Sequence, residues 1–220
     1  MEMSLRESND GYEATSLAAL EWLRASNDAI FVMNGSFFDP VKYNVRDRML
    51  NLSDGINIHG QVIADDKQIS SPEFGYAVIC FDSSDHPTIE KFQCPLDTKT
   101  AIAGRTILVE DGKVNQNLRD TMRHPRMAIG FNGDEMIIVG IEGRQDSSLG
   151  FTLPELAQKL NSLGATDAIE LDGGGSLSMG YTNEQREVVA LNAFTDKYGL
   201  FRLPRPVFAV RFIEKSTIRP

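Results

Sequence analysis

Cysteine, histidine and tryptophan are nearly missing from this chain, at two, three and one among 220 residues. Neither cysteine sits in a Cys-x-x-Cys pair, which argues against a structural zinc site. Cys80 lies in the apolar run from Tyr76 to Phe81 and reads as a packed thiol, while Cys94 precedes Pro95 in a loop-like stretch; a disulfide between them is the minor alternative. The three histidines, His59, His86 and His124, sit in turn-like surroundings that favour solvated rings, and none lies in a recognisable partner motif for a serine nucleophile. Basic charge is also short. The 22 Lys and Arg stand against 31 Asp and Glu and are not clustered, which excludes a nucleic-acid duplex as partner because phosphate contacts need a basic face. No apolar run reaches membrane-spanning length, and Met1 to Glu7 carries acids where an export signal needs bases. The expectation is a cytoplasmic protein without a membrane partner; its oligomeric state stays open.

What is present is enough chain for one domain with a real core. Residues 1–14 are polar and aperiodic and read as a loose arm before a domain of residues 15–220. Leu17, Leu20 and Leu23 recur at helical spacing and predict a helix from Thr15 to about Ala25. The continuous apolar run from Ala29 to Met33 predicts a strand covered on both faces, ending at Asn34-Gly35-Ser36. A second helix is announced by the capping box Thr152-Leu153-Pro154-Glu155 and an apolar stripe that stops at Gly164, and a strand from Ala168 to Leu171 follows it. Between these units the chain reads mostly as strands, with Asp111-Gly112 and Asn132-Gly133 as turns. The fold class expected is a mixed α+β single domain with few helices, its site formed by glycine-rich loops at strand ends.

The stretch Glu170-Leu171-Asp172-Gly173-Gly174-Gly175-Ser176 carries the chemistry. Residues without Cβ admit positive φ and let backbone N–H groups approach an anion. No Gly-Lys-Ser/Thr follows, so this is not a P-loop, and Ser178 replaces the last glycine of a dinucleotide fingerprint. Alternation along a strand places Glu170 and Asp172 on one face, about 7 Å apart at Cα. That pair suits two separated carboxyl roles or a divalent cation, calcium or magnesium, although no motif demands a cofactor. Arg126 opens an apolar strand as a candidate phosphate fork. Asn34, with Gly35, and Glu142-Gly143-Arg144 end their strands in the same polar-then-glycine manner.

Four segments in order, Asn34-Gly35-Ser36-Phe37-Phe38, Arg126-Met127-Ala128-Ile129-Gly130, Glu142-Gly143-Arg144 and Leu171-Asp172-Gly173-Gly174-Gly175-Ser176, resemble the motifs of the phosphodiester glycosidase family. Met127, Glu142 and Glu170 stand where Thr, Asp and Asn are common in that family. The resemblance implies hydrolysis of the bond between an anomeric carbon and a phosphate, with a small-molecule or glycan phosphosugar as substrate. Such a reaction needs positive groups on the phosphate side and a carboxylate on the sugar side. In this reading Arg126 and the amides of Gly173, Gly174 and Gly175 hold the phosphate, with Arg144 assisting. Asp172 or Glu142 faces the anomeric carbon, and Asn34 and Ser176 are neutral donors. A non-catalytic phosphosugar- or nucleotide-binding module on the same loops is the alternative.

Overall fold

The computed structural model describes residues 7–8, 11–12, 23, 29–40, 56–64, 66–133, 135–193 and 209–213. Its strands pair antiparallel throughout. One five-stranded sheet has the order β7-β6-β10-β8-β9 and contains β6 (Val62–Ala64), β7 (Lys67–Ser70), β8 (Val78–Phe81), β9 (Pro87–Glu90) and β10 (Thr100–Ala103). A second, in the order β12-β11-β15-β13-β14, contains β11 (Ile107–Glu110), β12 (Lys113–Val114), β13 (Arg126–Asn132), β14 (Glu135–Ile141) and β15 (Asp167–Leu171). A four-stranded sheet in the order β17-β16-β3-β18 joins β3 (Ala29–Asn34), β16 (Met179–Thr182), β17 (Val188–Ala190) and β18 (Ala209–Ile213). Two small pairs complete the set: β1 (Glu7–Ser8) with β2 (Gly11–Tyr12), and β4 (Phe38–Pro40) with β5 (Ile56–Ile58).

This architecture corrects the expected fold class: the chain is mainly β, not mixed α+β. Among the described residues the only α-helix seen along its length is α1 (Leu153–Ser162), beside a single 3-10 turn at Gly174–Ser176 and five antiparallel sheets. The strands were legible in the apolar runs, but β15 follows α1 without becoming part of a parallel crossover. It lies between β11 and β13, both antiparallel to it. Of the expected helix from Thr15 to Ala25 only Leu23 is described, helical and buried. Within the expected arm of residues 1–14, β1 and β2 pair with Glu7 opposite Tyr12. The strand predicted to be covered on both faces is β3, and there Ile30 is 41% exposed, so one face is partly open.

Alternation in β13 and β15 sends two faces to two cores. Met127, Ile129, Phe131, Ile169 and Leu171 pack toward Ile79, Phe81 and Ile102 of the first sheet, with Met33 of β3 in the same cluster. Ala128 and Ala168 face the other way, onto Leu153, Leu156, Ala157 and Leu160 of α1. Small residues on that face let the helix come close; a Cβ on Gly130 would lie 2.8 Å from that of Ala165. Thr152 caps α1 as expected, its Oγ1 accepting from Glu155 N at 3.3 Å while Glu155 Oε2 accepts from Thr152 N at 2.9 Å. Arg126 and Glu170 share parity with Ala128 and Ala168, so they continue the helix-side face beyond the end of its apolar core.

The cysteines also correct the reading of Cys80 as a thiol: Cys80 and Cys94 form a disulfide across 14 residues of sequence. Both are buried, and Cys94 N–H donates to Gln61 Oε1 at 2.8 Å.

Candidate active site

Arg126, at the first position of β13, is a buried clamp. Its Nε donates to Phe151 O at 3.0 Å, Nη1 to Glu170 Oε1 at 3.0 Å, and Nη2 to Asp120 Oδ2 at 2.9 Å and Met122 O at 3.0 Å. A guanidinium has about five N–H donors, so the protein itself takes most of its capacity. Glu170 is the matching half. Burial raises its pKa above the ordinary carboxyl range against the pull of Arg126, and Thr106 also bonds its side chain. Glu170 therefore faces Arg126 and Thr106 and positions Arg126. Among the described residues no group of three or more His, Cys, Asp or Glu side chains is arranged to hold a metal ion.

Asn34 is wholly buried and stitches two strand ends together. Its Nδ2 donates to the carbonyl of Asp172, and its Oδ1 accepts from Ser178 N at 2.9 Å. Beside it, Asp172 N–H donates to Gly35 O at 3.0 Å. Asn34 and Gly35 thus hold the main chain of the glycine loop in place. Asp172 is the group they aim. Burial pushes its carboxyl up to about 7, despite hydrogen bonds from Ser176 and from Gly173 N–H, and the charge of Glu170 adds to the rise. The residue keeps part of its surface open to a cavity of about 950 Å³.

The glycine loop serves close packing, and two of the three amides expected to hold a phosphate are engaged by the protein itself. A Cβ on Gly173 would lie 2.6 Å from Pro125 O and 3.1 Å from Arg126 Cα. Gly174, at φ +58°, donates its N–H to Pro125 O at 2.8 Å. The amides of Gly173 and Gly174 are thus bonded inside the protein, while Gly173, Gly174, Gly175 and Ser176 form one wall of the cavity. Gly174 has a second neighbour: its Cβ would sit 3.4 Å from Nη2 of Arg144, so that guanidinium lies over the loop. Arg144 itself has φ +59°, a left-handed conformation that costs a side-chain-bearing residue about 1 kcal/mol or more and collects at functional sites.

Glu142 lies outside the cavity lining. Its Oε1 accepts from Ala193 N at 2.6 Å, its Oε2 from Gln145 Nε2 at 3.3 Å, and its carbonyl from the Ser148 hydroxyl at 2.6 Å. Its place is to brace the turn that presents Arg144. Of the two carboxyls expected to face an anomeric carbon, Asp172 lines the cavity and Glu142 does not.

Several cavity residues escaped the sequence reading, and two of them bear directly on the chemistry of the wall. Arg105 lines the wall beside Thr106, held by its N–H to Glu170 O at 3.0 Å. Gly104 before it admits no side chain, since a Cβ would meet Glu170 O at 2.4 Å. The signal was available: Gly104-Arg105 repeats the strand-ending Gly-Arg pair of Gly143-Arg144. His124 is the other. Its Nδ1 lies 3.2 Å from Arg144 Nη2, and a guanidinium can only donate, so Nδ1 accepts and the neutral ring carries its proton on Nε2. Burial, then Arg144 and Arg126, hold its pKa below the usual imidazole range. The cavity thus combines Arg105, Arg119, Arg144 and His124 with the carboxyl of Asp172 and the rings of Phe37 and Phe38.

Comparison with known proteins places this site in context. A model of the phosphodiester glycosidase family matches residues 27–209. Among solved structures, the chain is similar to the zebrafish N-acetylglucosamine-1-phosphodiester alpha-N-acetylglucosaminidase catalytic domain auto-inhibited by its pro-peptide, with TM-score 0.66 and 17% identity over 92% of this chain and 68% of that one. A Burkholderia pseudomallei protein aligns with TM-score 0.62 and 14% identity over 96% of this chain and 70% of that one. A Synechocystis hypothetical protein aligns with TM-score 0.57 and 15% identity, over 85% of this chain and 53% of that one. At these identities the likeness is one of fold. No match emerges among curated proteins.

Proposed function

The chain belongs to the phosphodiester glycosidase family, and from that premise we propose that it hydrolyses the bond between a sugar's anomeric carbon and a phosphate in a sugar-1-phosphodiester. Water adds to the anomeric carbon, the C1–O bond breaks, and its electron pair leaves with the phosphate. A single observation supports this best: one cavity holds a buried carboxyl whose pKa is pushed up to about 7 together with Arg105, Arg144 and His124.

The charges suit the two halves of the reaction. As C1–O lengthens, the phosphate gains negative charge and the sugar becomes oxocarbenium-like. Arg105 and Arg144 supply fixed positive charge for the first, and the Nε2–H of His124 is a neutral donor beside them. Asp172, poised near neutrality, exists in both protonation states at working pH, and its neutral form is not repelled by the phosphate. Asn34, Gly35, Arg126, Glu170 and Glu142 act by holding these groups, the first two on the loop of Asp172, the rest on the walls. The Cys80–Cys94 disulfide favours an oxidising compartment over the cytoplasm expected from the N-terminal charges.

The test is release of free sugar from UDP-N-acetylglucosamine in ¹⁸O-labelled water. Label in the sugar supports cleavage at C1, and label in the phosphate points to attack at phosphorus instead. Asp172→Asn should lower the rate by roughly 10²–10⁴-fold, the range for loss of a general acid or base. Binding of the nucleotide sugar without turnover would favour the non-catalytic module.

A further inference from the structure

Beside the cavity stands a second constellation that the mechanism above leaves unused. His59 lies between two carboxylates, its Nε2 at 3.0 Å from Asp39 Oδ2 and its Nδ1 at 2.9 Å from Glu73 Oε2. Carboxylates only accept, so a ring bonded through both nitrogens carries both protons. Burial alone would lower the pKa of His59, but hydrogen bonds to Glu73 and Asp39 and their charges outweigh it and hold it above the usual imidazole range.

The ring is fixed from its face as well. It stacks on Tyr76 with centroids 5.0 Å apart and planes 4° from parallel, and His59 N–H donates to Phe37 O at 2.9 Å. The following residue, Gly60, has φ +76°, and a Cβ there would meet Ala103 Cβ at 2.6 Å and Tyr76 Cβ at 2.9 Å. Only a glycine lets the chain pass close enough for the stack, and Gly60 N–H also donates to Glu73 Oε2 at 3.2 Å.

Asp39 is the one titratable member of this group that lines the cavity of Asp172. Its side chain is 72% exposed although one oxygen is pinned by His59, whose own side chain is 24% exposed. An open acid held in place by a packed cation differs from an ordinary surface pair, in which both partners are mobile. Tyr76 connects the two acids electrostatically. Burial and then Glu73 raise its phenol pKa, Arg105 opposes them, and both Asp39 and Asp172 add to the rise, so Tyr76 lies within range of each.

We propose that Asp39 is a second catalytic carboxylate, held by His59, which takes the proton of the water attacking the anomeric carbon. The inference rests on the hydrolase reading above. In this step water oxygen bonds to C1 and its proton passes to Asp39. C1–O breaks with its electron pair going to the phosphate oxygen, and the proton of neutral Asp172 follows it there. The two carboxyl groups are set apart by their surroundings, one largely desolvated, the other open and paired with a cation, which is how paired acids divide acid and base work. His59 is a positioning residue, and Glu73 anchors it from behind.

The experiment uses the full chain with UDP-N-acetylglucosamine as probe. Asp39→Asn should lower kcat about 100-fold or more with an unchanged melting curve. Asp39→Ala should lose activity similarly, and sodium azide should restore at least about tenfold and yield a glycosyl azide, because a small anion can attack C1 without a base. His59→Gln should lower kcat about tenfold with KM unchanged and without azide rescue. Asp39→Asn within threefold of the wild-type kcat, or a folded Asp39→Ala that azide does not rescue, overturns the proposal while leaving the hydrolase reading intact. A wild-type chain that releases no sugar overturns both.

Discussion

Asn34 ends a strand of one sheet and Asp172 follows a strand of another, yet the side-chain amide of Asn34 donates to the carbonyl of Asp172. The same amide accepts from Ser178, so one buried residue fixes the glycine loop on both sides. Substituting Asn34 with alanine leaves the Ser178 amide and the Asp172 carbonyl without these partners. The cost should be about 2–3 kcal/mol in denaturant unfolding, as expected for buried polar groups deprived of partners. A larger proportional loss should appear in kcat, because the Asp172 carboxyl moves with its main chain. Stability within 0.5 kcal/mol of wild type, roughly the scatter of a neutral surface change, would count against the stitch.

Asp172 makes stability depend on pH in an unusual direction. An exposed aspartate releases its proton near 3.8, and the folded chain keeps this one up to about 7. Between those values the folded state binds more protons than the unfolded, so stability falls as pH rises through the window and levels off above it. Asp172→Asn removes the effect. Because the group partly faces cavity water, the gain should be about 1–2 kcal/mol at pH 8 and vanish near pH 4, measured by urea unfolding at both. A gain of equal size at both pH values would assign it to packing rather than to the proton.

Arg144 trades backbone strain for a charge over the glycine loop. Arg144→Gly should relieve the left-handed backbone at φ +59°, adding between zero and about 1 kcal/mol of stability. The same change should raise KM for a sugar phosphodiester about tenfold or more, the scale of a lost charge-assisted bond. Steady-state kinetics beside a thermal melt checks both signs at once.

The disulfide closes a short loop over the first sheet. Cys80 and Cys94 are separated by 14 residues, for which chain entropy gives about 3 kcal/mol. Treatment with a thiol reductant, or a paired Cys80→Ser, Cys94→Ser variant, should therefore lower stability by about 2–4 kcal/mol. Asp172 and its neighbours are not in that loop, so kcat at low temperature should change little.

The sequence by itself determined the local grammar: the capping box at Thr152, the strand ends at Asn34 and Asp172, the Gly-Arg corner at Arg144, and the family that these segments together mark. Such features are set by neighbours along the chain, through capping, alternation and the freedom of glycine. Tertiary structure alone decided which polar ends look into the cavity. Arg126 and Glu170 reach the cavity wall but bond to each other because adjacent strands place them side by side, and Glu142 turns away to hold Ala193. Arg105, His124 and Asp39 come in from segments far apart in sequence. The mainly β class was likewise hidden, because an apolar run encodes a strand but not the direction of the strand beside it. Pairing direction and side-chain convergence depend on contacts between remote segments, which no local pattern carries.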